Sequence, residues 1–286
     1  MSKSDTKALN GTFTLSNGVQ IPKIGFGTWQ TPEGDTGVNA VKCALAEGYR
    51  HIDTAAVYGN EKSVGIGIAG SGVPREEIFL TTKVWNRDRG YGATLKAFED
   101  SLERLGVDYV DLYLIHWPAN ARQFDNWEQI NLDTWRAMTE LYKAGRIRAI
   151  GVSNFLPHHL EALMQTEVRP MINQIEYHPG TMQAETVAYC QANGILVEAW
   201  SPLGSGRVLN DPTLSDIAAK YGVCVAQLCV RWCLQNGVLP LPKSVTPSRI
   251  ALNKEVGFTI GDEDMRRING MPEFGGSGLN PDEIDF

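Results

Sequence analysis

The stretch Gly48-Tyr49-Arg50-His51-Ile52-Asp53-Thr54-Ala55-Ala56-Val57-Tyr58-Gly59-Asn60-Glu61 carries the pattern that decides the fold. Residues 49–53 read as a short strand that stops on an acid, and a loop with a tyrosine follows. The design recurs downstream. Ile78-Phe79-Leu80-Thr81-Thr82-Lys83 stops on a lysine, and Val110-Asp111-Leu112-Tyr113-Leu114-Ile115-His116 stops on a histidine. A polar group at the C-terminal end of a parallel strand is where a barrel enzyme keeps its chemistry.

Outward from that stretch, strand ends fall near Gly27, Asp53, Lys83, His116, Asn154, Gln174, Trp200 and Lys243. Each interval has room for one strand–helix unit. A hairpin precedes them, with strands at 13–15 and 19–21 about an Asn17-Gly18 turn. Leu95, Phe98, Leu102 and Leu105 recur at helical spacing before Gly106. The next helix is expected to start at Asp133 as N-cap, bury Met138 and Leu141, and stop at Gly145. Pro157 suits the first turn of another. Further helices are expected over 214–221 and 225–235, then near 248–255 and 262–268, before a Gly- and Pro-rich tail at 272–286. Eight strands alternating with helices predict an α/β (β/α)8 TIM barrel with an N-terminal hairpin and extra C-terminal helices. A doubly wound sheet would want G-x-G-x-x-G after its first strand, and Gly25-Phe26-Gly27-Thr28-Trp29 lacks the third glycine. No linker or repeat divides the chain, so 1–286 reads as a single domain, with 1–10 expected to be flexible.

Composition narrows the function. Of 286 residues, 43% are hydrophobic, enough for a large core, and the net charge is −7. Acidic balance argues against nucleic acid as partner, because phosphate contacts need basic surface. No apolar run is long enough for a membrane span, and the N-terminus has no secretory pattern. Five cysteines, Cys43, Cys190, Cys224, Cys229 and Cys233, form no C-x-x-C pair. A reducing cytoplasm fits them, with Cys229 and Cys233 as core residues. A monomer acting on a small molecule is expected.

Asp53, Tyr58, Lys83 and His116 together make a proton-transfer device. A tyrosine of ordinary pKa, ~10, cycles poorly at neutral pH. A nearby ammonium lowers that value. Lys83 can supply the charge, Asp53 can hold Lys83, and His116 can orient the substrate oxygen. Each residue has a plainer reading: Tyr58 as surface, Lys83 with Asp53 as a structural pair, His116 as a satisfied core histidine. A metal-dependent barrel hydrolase is the rival chemistry, because His51, Asp53, Lys83, His116 and His178 all lie at strand ends. That rival leaves Tyr58 unused, so no metal is expected, and His51 reads as an interior residue.

The 48–61 stretch resembles the first signature of the aldo-keto reductases. Asp111 through Pro118, Gly151-Val152-Ser153-Asn154-Phe155, Asn173-Gln174-Ile175-Glu176-Tyr177-His178-Pro179 and Leu241-Pro242-Lys243-Ser244 with Arg249 are similar to four more of its segments. The short loops resemble the bacterial diketogluconate reductase-like members. The resemblance implies NADPH as cofactor and reversible reduction of aldehydes and ketones, with Tyr58 as general acid. It assigns Ser153, Asn154 and Gln174 to the nicotinamide carboxamide and Trp200 to the face of its ring. Ser201, Leu203, Ser205 and Gly206 match the pyrophosphate loop. Lys243, Ser244 and Arg249 match a 2′-phosphate pocket, and Asn253 an adenine contact. Gly27, Thr28 and Asp53 complete the expected cofactor set. Trp29, Trp85 and Trp117, with His116, should line an aromatic substrate pocket, and the short tail implies an open mouth. A non-catalytic NADP-binding subunit is the remaining alternative, against which the full tetrad argues.

Overall fold

The computed structural model describes residues 11–286. The expectation of a flexible 1–10 lies outside the described residues. β1 (Thr12–Thr14) and β2 (Gln20–Pro22) pair antiparallel about Asn17-Gly18, with Gly18 at φ 87°. Leu15 and Ile21 of this hairpin enter the core, and Asn17 Nδ2 donates to Arg148 O at 3.0 Å. That contact fixes the hairpin at the end of the sheet opposite the strand C-termini.

The main sheet contains β3 (Phe26–Gly27), β4 (His51–Asp53), β5 (Phe79–Val84), β6 (Val110–Ile115), β7 (Ile147–Ser153), β8 (Ile172–Glu176), β9 (Leu196–Trp200) and β10 (Leu239–Pro240). All eight are parallel and lie in chain order. The sheet is curled until its edges meet: Gly25 N–H donates to Pro240 O at 3.0 Å and Gly27 N–H to Pro242 O at 3.1 Å. This is consistent with the (β/α)8 architecture read from the sequence. The helices are α1 (Asp35–Ala46), α2 (Glu61–Ala69), α3 (Tyr91–Leu105), α4 (Trp127–Lys143), α5 (Pro157–Met164), α6 (Ala184–Ala192), α7 (Pro212–Lys220), α8 (Val225–Gln235), α9 (Pro247–Asn253) and α10 (Asp262–Asn269). Cys229 and Cys233 on α8 are fully buried, and all five thiols are free. No single helix among the described residues is long and apolar enough to cross a membrane.

Three local expectations change. Asp133 is no N-cap: α4 starts at Trp127, and Asp133 lies inside it, accepting from Gln129 Nε2. The early turns bury Asn131 and Thr134, and Asn131 bonds both the N–H and the carbonyl of Ala119. A helix face that buries amides hides its start from apolar periodicity. β5 runs one residue past Lys83. β10 ends at Pro240, short of Lys243, because Pro240 and Pro242 have no N–H to extend the ladder.

Candidate active site and cofactor cradle

Strand alternation aims every second side chain inward. His51 and Asp53 of β4, Thr81 and Lys83 of β5, Gln174 of β8 and Glu198 of β9 therefore converge inside the sheet, all buried. Lys83 Nζ donates to Asp53 Oδ1 at 2.8 Å, Asp53 Oδ2 at 2.9 Å and Thr54 O at 2.9 Å. It reaches the Tyr58 hydroxyl at 3.4 Å. The Tyr58 and His116 rings meet edge-on, centroids 5.6 Å apart. The four expected residues are thus one contiguous group. Asp111, in the same strand motif as His116, is instead structural: it accepts from Leu80 N–H and pairs with Arg75 and Arg148.

The charges follow from burial and pairing. Burial alone would lower the Lys83 pKa, but Asp53 and Tyr58 outweigh it and the net direction is up, so Lys83 is an ammonium. Burial raises the Tyr58 pKa more than Lys83 lowers it. The expectation of a depressed tyrosine is corrected here: the phenol keeps its proton in the free protein. Burial, then Lys83 and Arg89, hold His116 well below the ordinary histidine value. Its imidazole is neutral, and its buried Nδ1 has no hydrogen-bond partner among the described residues.

The cofactor candidates form a second surface beside this group. Asn154, at φ 63°, donates from Nδ2 to His116 O at 3.0 Å and accepts from Trp200 Nε1 at 2.8 Å. Trp200 is only partly buried, and this bond fixes its ring plane. Ser153 Oγ donates to Gln174 O, and the Gln174 Nε2 amide bridges Asp53 and Glu198. Gln174 Oε1 is left without a partner among the described residues. Ser201, Gly204, Ser205 and Gly206 all have left-handed φ, between 48° and 91°. Such a turn, which includes the exposed Ser205, makes the kind of backbone concavity that holds anions. Leu203 sits within it, half-buried. Lys243 is half-buried and donates to Gln30 O at 3.2 Å; neither it nor the exposed Arg249 has a carboxylate partner among the described residues. Ser244 Oγ accepts from Thr246 N–H at the entry to α9, and Asn253 is buried at its end. Gly27 has a close neighbour: a Cβ there would lie 3.0 Å from Leu241 O. Thr28 is buried, with its hydroxyl on Asp53 O at 2.9 Å.

The mouth is less open than expected. Trp85 packs edge-on against His116 with centroids 5.1 Å apart. The tail returns across it, and Phe286 stacks on Trp85 at 5.8 Å and meets Trp117 edge-on at 5.7 Å. Asn86 Nδ2 binds Phe286 O, and Asn120 Nδ2 binds both Pro281 O and Ile284 O. Trp29 stands 45% exposed at the rim, apart from this stack. Phe286 and Glu198 were absent from the sequence reading. Phe286 has no local signal, whereas Glu198 interrupts the apolar run Ile195-Leu196-Val197-Glu198-Ala199-Trp200.

His51 and His178 do not join a metal-ligand set; the one such group among the described residues is His158, His159 and Asp282. Asp282 Oδ1 receives both imidazoles, at 2.9 Å from His158 Nε2 and 3.1 Å from His159 Nε2. Leu156 N–H donates to His159 Nδ1 at 3.2 Å. A backbone donor fixes the proton of a neutral imidazole on the other nitrogen, so His159 Nε2 faces Asp282 as a donor. The group is a latch on the tail.

With this geometry in place, the family model described as "Aldo/keto reductase family" matches residues 23–273. The chain belongs to the aldo/keto reductase family. It is 50% identical over 281 residues to a glyoxal reductase of Bacillus subtilis, covering 98% of this chain and 99% of that one. A crystal structure of an aldo/keto reductase from Brucella melitensis superposes with TM-score 0.84 at 48% identity, over 90% of this chain and 97% of that chain. A variant of Gox0644 solved in complex with NADPH gives TM-score 0.89 at 42% identity, over 96% and 98%. This aldo/keto reductase is accordingly an oxidoreductase that reduces carbonyl groups.

Proposed function

We propose that this aldo/keto reductase, a monomeric cytoplasmic protein of one closed (β/α)8 domain, reversibly reduces aldehydes and ketones with NADPH. The observation that carries the reading is the Lys83 ammonium, bound to both Asp53 oxygens and 3.4 Å from the Tyr58 hydroxyl. NADPH supplies the hydride when bound. Tyr58 gives its proton to the carbonyl oxygen, and Lys83 stabilises the phenolate left behind. Asp53 keeps Lys83 charged and in place. His116, neutral, donates one hydrogen bond that orients the same oxygen.

The residues present fit the cofactor. Trp200 offers a fixed aromatic face, with Ser153, Asn154 and the free Oε1 of Gln174 beside it for a carboxamide. The turn of Ser201, Leu203, Ser205 and Gly206 suits a pyrophosphate. Lys243 and Arg249, cations without carboxylate partners, suit a 2′-phosphate together with Ser244, and Asn253 suits the adenine. Gly27 and Thr28 bring the backbone close to Asp53. The apolar mouth of Trp85, Trp117 and Trp29 makes few polar demands, which supports broad use of aldehydes, α-keto esters and diketones. A panel of such carbonyls followed by NADPH absorbance tests the reading. Oxidation of NADPH across several members is expected; none with any carbonyl would overturn it.

A further inference from the structure

The carboxyl of Glu198 is fully buried inside the sheet and has no part in the chemistry proposed above. Its Oε2 accepts from Gln174 Nε2 at 2.9 Å, and the other hydrogen of the same amide goes to Asp53 Oδ2 at 2.9 Å. One NH2 group is thus wedged between two carboxyls. Its orientation is thereby decided, and Oε1 is the end left for a ligand. Among the described residues Glu198 Oε1 has no hydrogen-bond partner, and His51 Nε2 lies 4.0 Å from it.

The two carboxyls divide their charge unequally. Asp53 holds a cation, since Lys83 lies within 2.9 Å of both its oxygens. Glu198 holds none. The groups facing it are His51 and Asp53 from β4, Thr81 and Lys83 from β5, and Gln174 from β8. On the β10 side the residue registered beside Glu198 is the apolar Leu239, and Gly25 and Leu241 pack against His51. His51 is neutral, because burial and then Lys83 push its pKa down to about 3. Burial, then the Asp53 charge, pushes the Glu198 carboxyl up to about 8.

We propose that Glu198 is a positioning residue: its carboxyl pins the Gln174 amide so that Oε1 faces the nicotinamide carboxamide, and its proton keeps a second negative charge away from the Asp53–Lys83–Tyr58 chain. This rests on the cofactor reading above. Loss of that proton places an anion beside Asp53, and the phenol of Tyr58 then holds its own proton more firmly. Reduction slows to a lower plateau rather than stopping, since Tyr58 is still protonated.

Two variants separate the parts. Glu198→Met removes the acceptor, and Glu198→Gln keeps an acceptor oxygen but does not titrate. NADP⁺ affinity is read by fluorescence titration, and kcat for reduction is read from pH 6 to pH 10. Glu198→Met is expected to weaken NADP⁺ by about tenfold, the loss of one buried hydrogen bond. Glu198→Gln should recover most of that affinity. The wild type should step to a lower kcat plateau on the alkaline side, and Glu198→Gln should lack the step. Full NADP⁺ affinity in Glu198→Met, or an unchanged step in Glu198→Gln, overturns the role of Glu198 alone. A wild-type protein that binds no NADP⁺ overturns the cofactor reading beneath it.

Discussion

Tyr58 hangs on a short turn beyond β4; its hydroxyl meets Lys83 Nζ at 3.4 Å, and the same ammonium lies 5.1 Å from its ring centroid. The length of that contact has a mechanistic meaning. Lys83 is already bound to Asp53 and to Thr54 O, so it offers the phenol charge more than a strong hydrogen bond. In the proposed mechanism the raised Tyr58 pKa keeps the resting residue protonated, as an acid for reduction must be, with Lys83 most useful once the phenolate has formed. Tyr58→Phe keeps the ring and its edge contact with His116 but has no proton to give. We expect kcat for ketone reduction to fall at least about a hundredfold, with NADP⁺ affinity nearly unchanged. Turnover near wild type in steady-state assays would remove Tyr58 from the chemistry. Sequence showed these four residues because each closes or follows an apolar run. It did not show the sign of the Tyr58 shift, which depends on how deeply a loop residue is set.

Among the elements, the segment from β10 to α9 carries Lys243 and Arg249, which have no carboxylate partner among the described residues. Replacing Lys243 and Arg249 together by neutral residues should raise the Kd for NADPH far more than that for NADH, and added salt should weaken the wild-type preference. Equal losses for both coenzymes in titrations would show that the pair does not read the 2′-phosphate. The tail is the other element proposed to act in selection. It is held by Asn86, Asn120 and the His158–His159–Asp282 latch, and it delivers Phe286 onto Trp85. Phe286→Ala should widen the mouth and change KM for bulky aromatic aldehydes several-fold more than for a minimal aldehyde, because apolar contacts there are worth about 1–3 kcal/mol. A constant KM ratio across the series would place Phe286 outside the substrate path. Strands and most helices were legible because period and punctuation are local signals. The beginning of α4 was not, since Asn131 and Thr134 are buried by hydrogen bonding rather than by apolarity. Phe286 was not, because its partners lie far away in the chain and no local pattern names them.

Across the whole molecule, buried titratable groups set the pH window of stability. His51 and His159 have pKa values lowered to about 3 and about 4 from 6.5, the second by burial and then His158. In the unfolded chain they gain protons below 6.5, while the folded protein resists, so stability present above that pH is lost as pH falls toward 4 and below. Glu198 acts at the other side. Its pKa is raised from 4.5 to about 8, so the unfolded chain loses this proton first, and stability falls as pH rises from 4.5 to 8. Urea melts of the apo protein should therefore show Glu198→Gln gaining over wild type as pH rises toward 8, by on the order of a few kcal/mol. A gap that does not grow with pH would mean that Glu198 is ionised in the fold. The acid limit thus comes from His159 in the latch on the tail together with His51 inside the sheet, and the alkaline limit from Glu198 in the same polar column as His51. The column has a spectroscopic consequence as well. At neutral pH the raised pKa of the fully buried Glu198 favours its un-ionised acid. Its C=O stretch stands apart in infrared absorption from carboxylate and peptide bands. Glu198 would thereby serve, without any label, as a vibrational probe that reports from inside the sheet as ligands come and go.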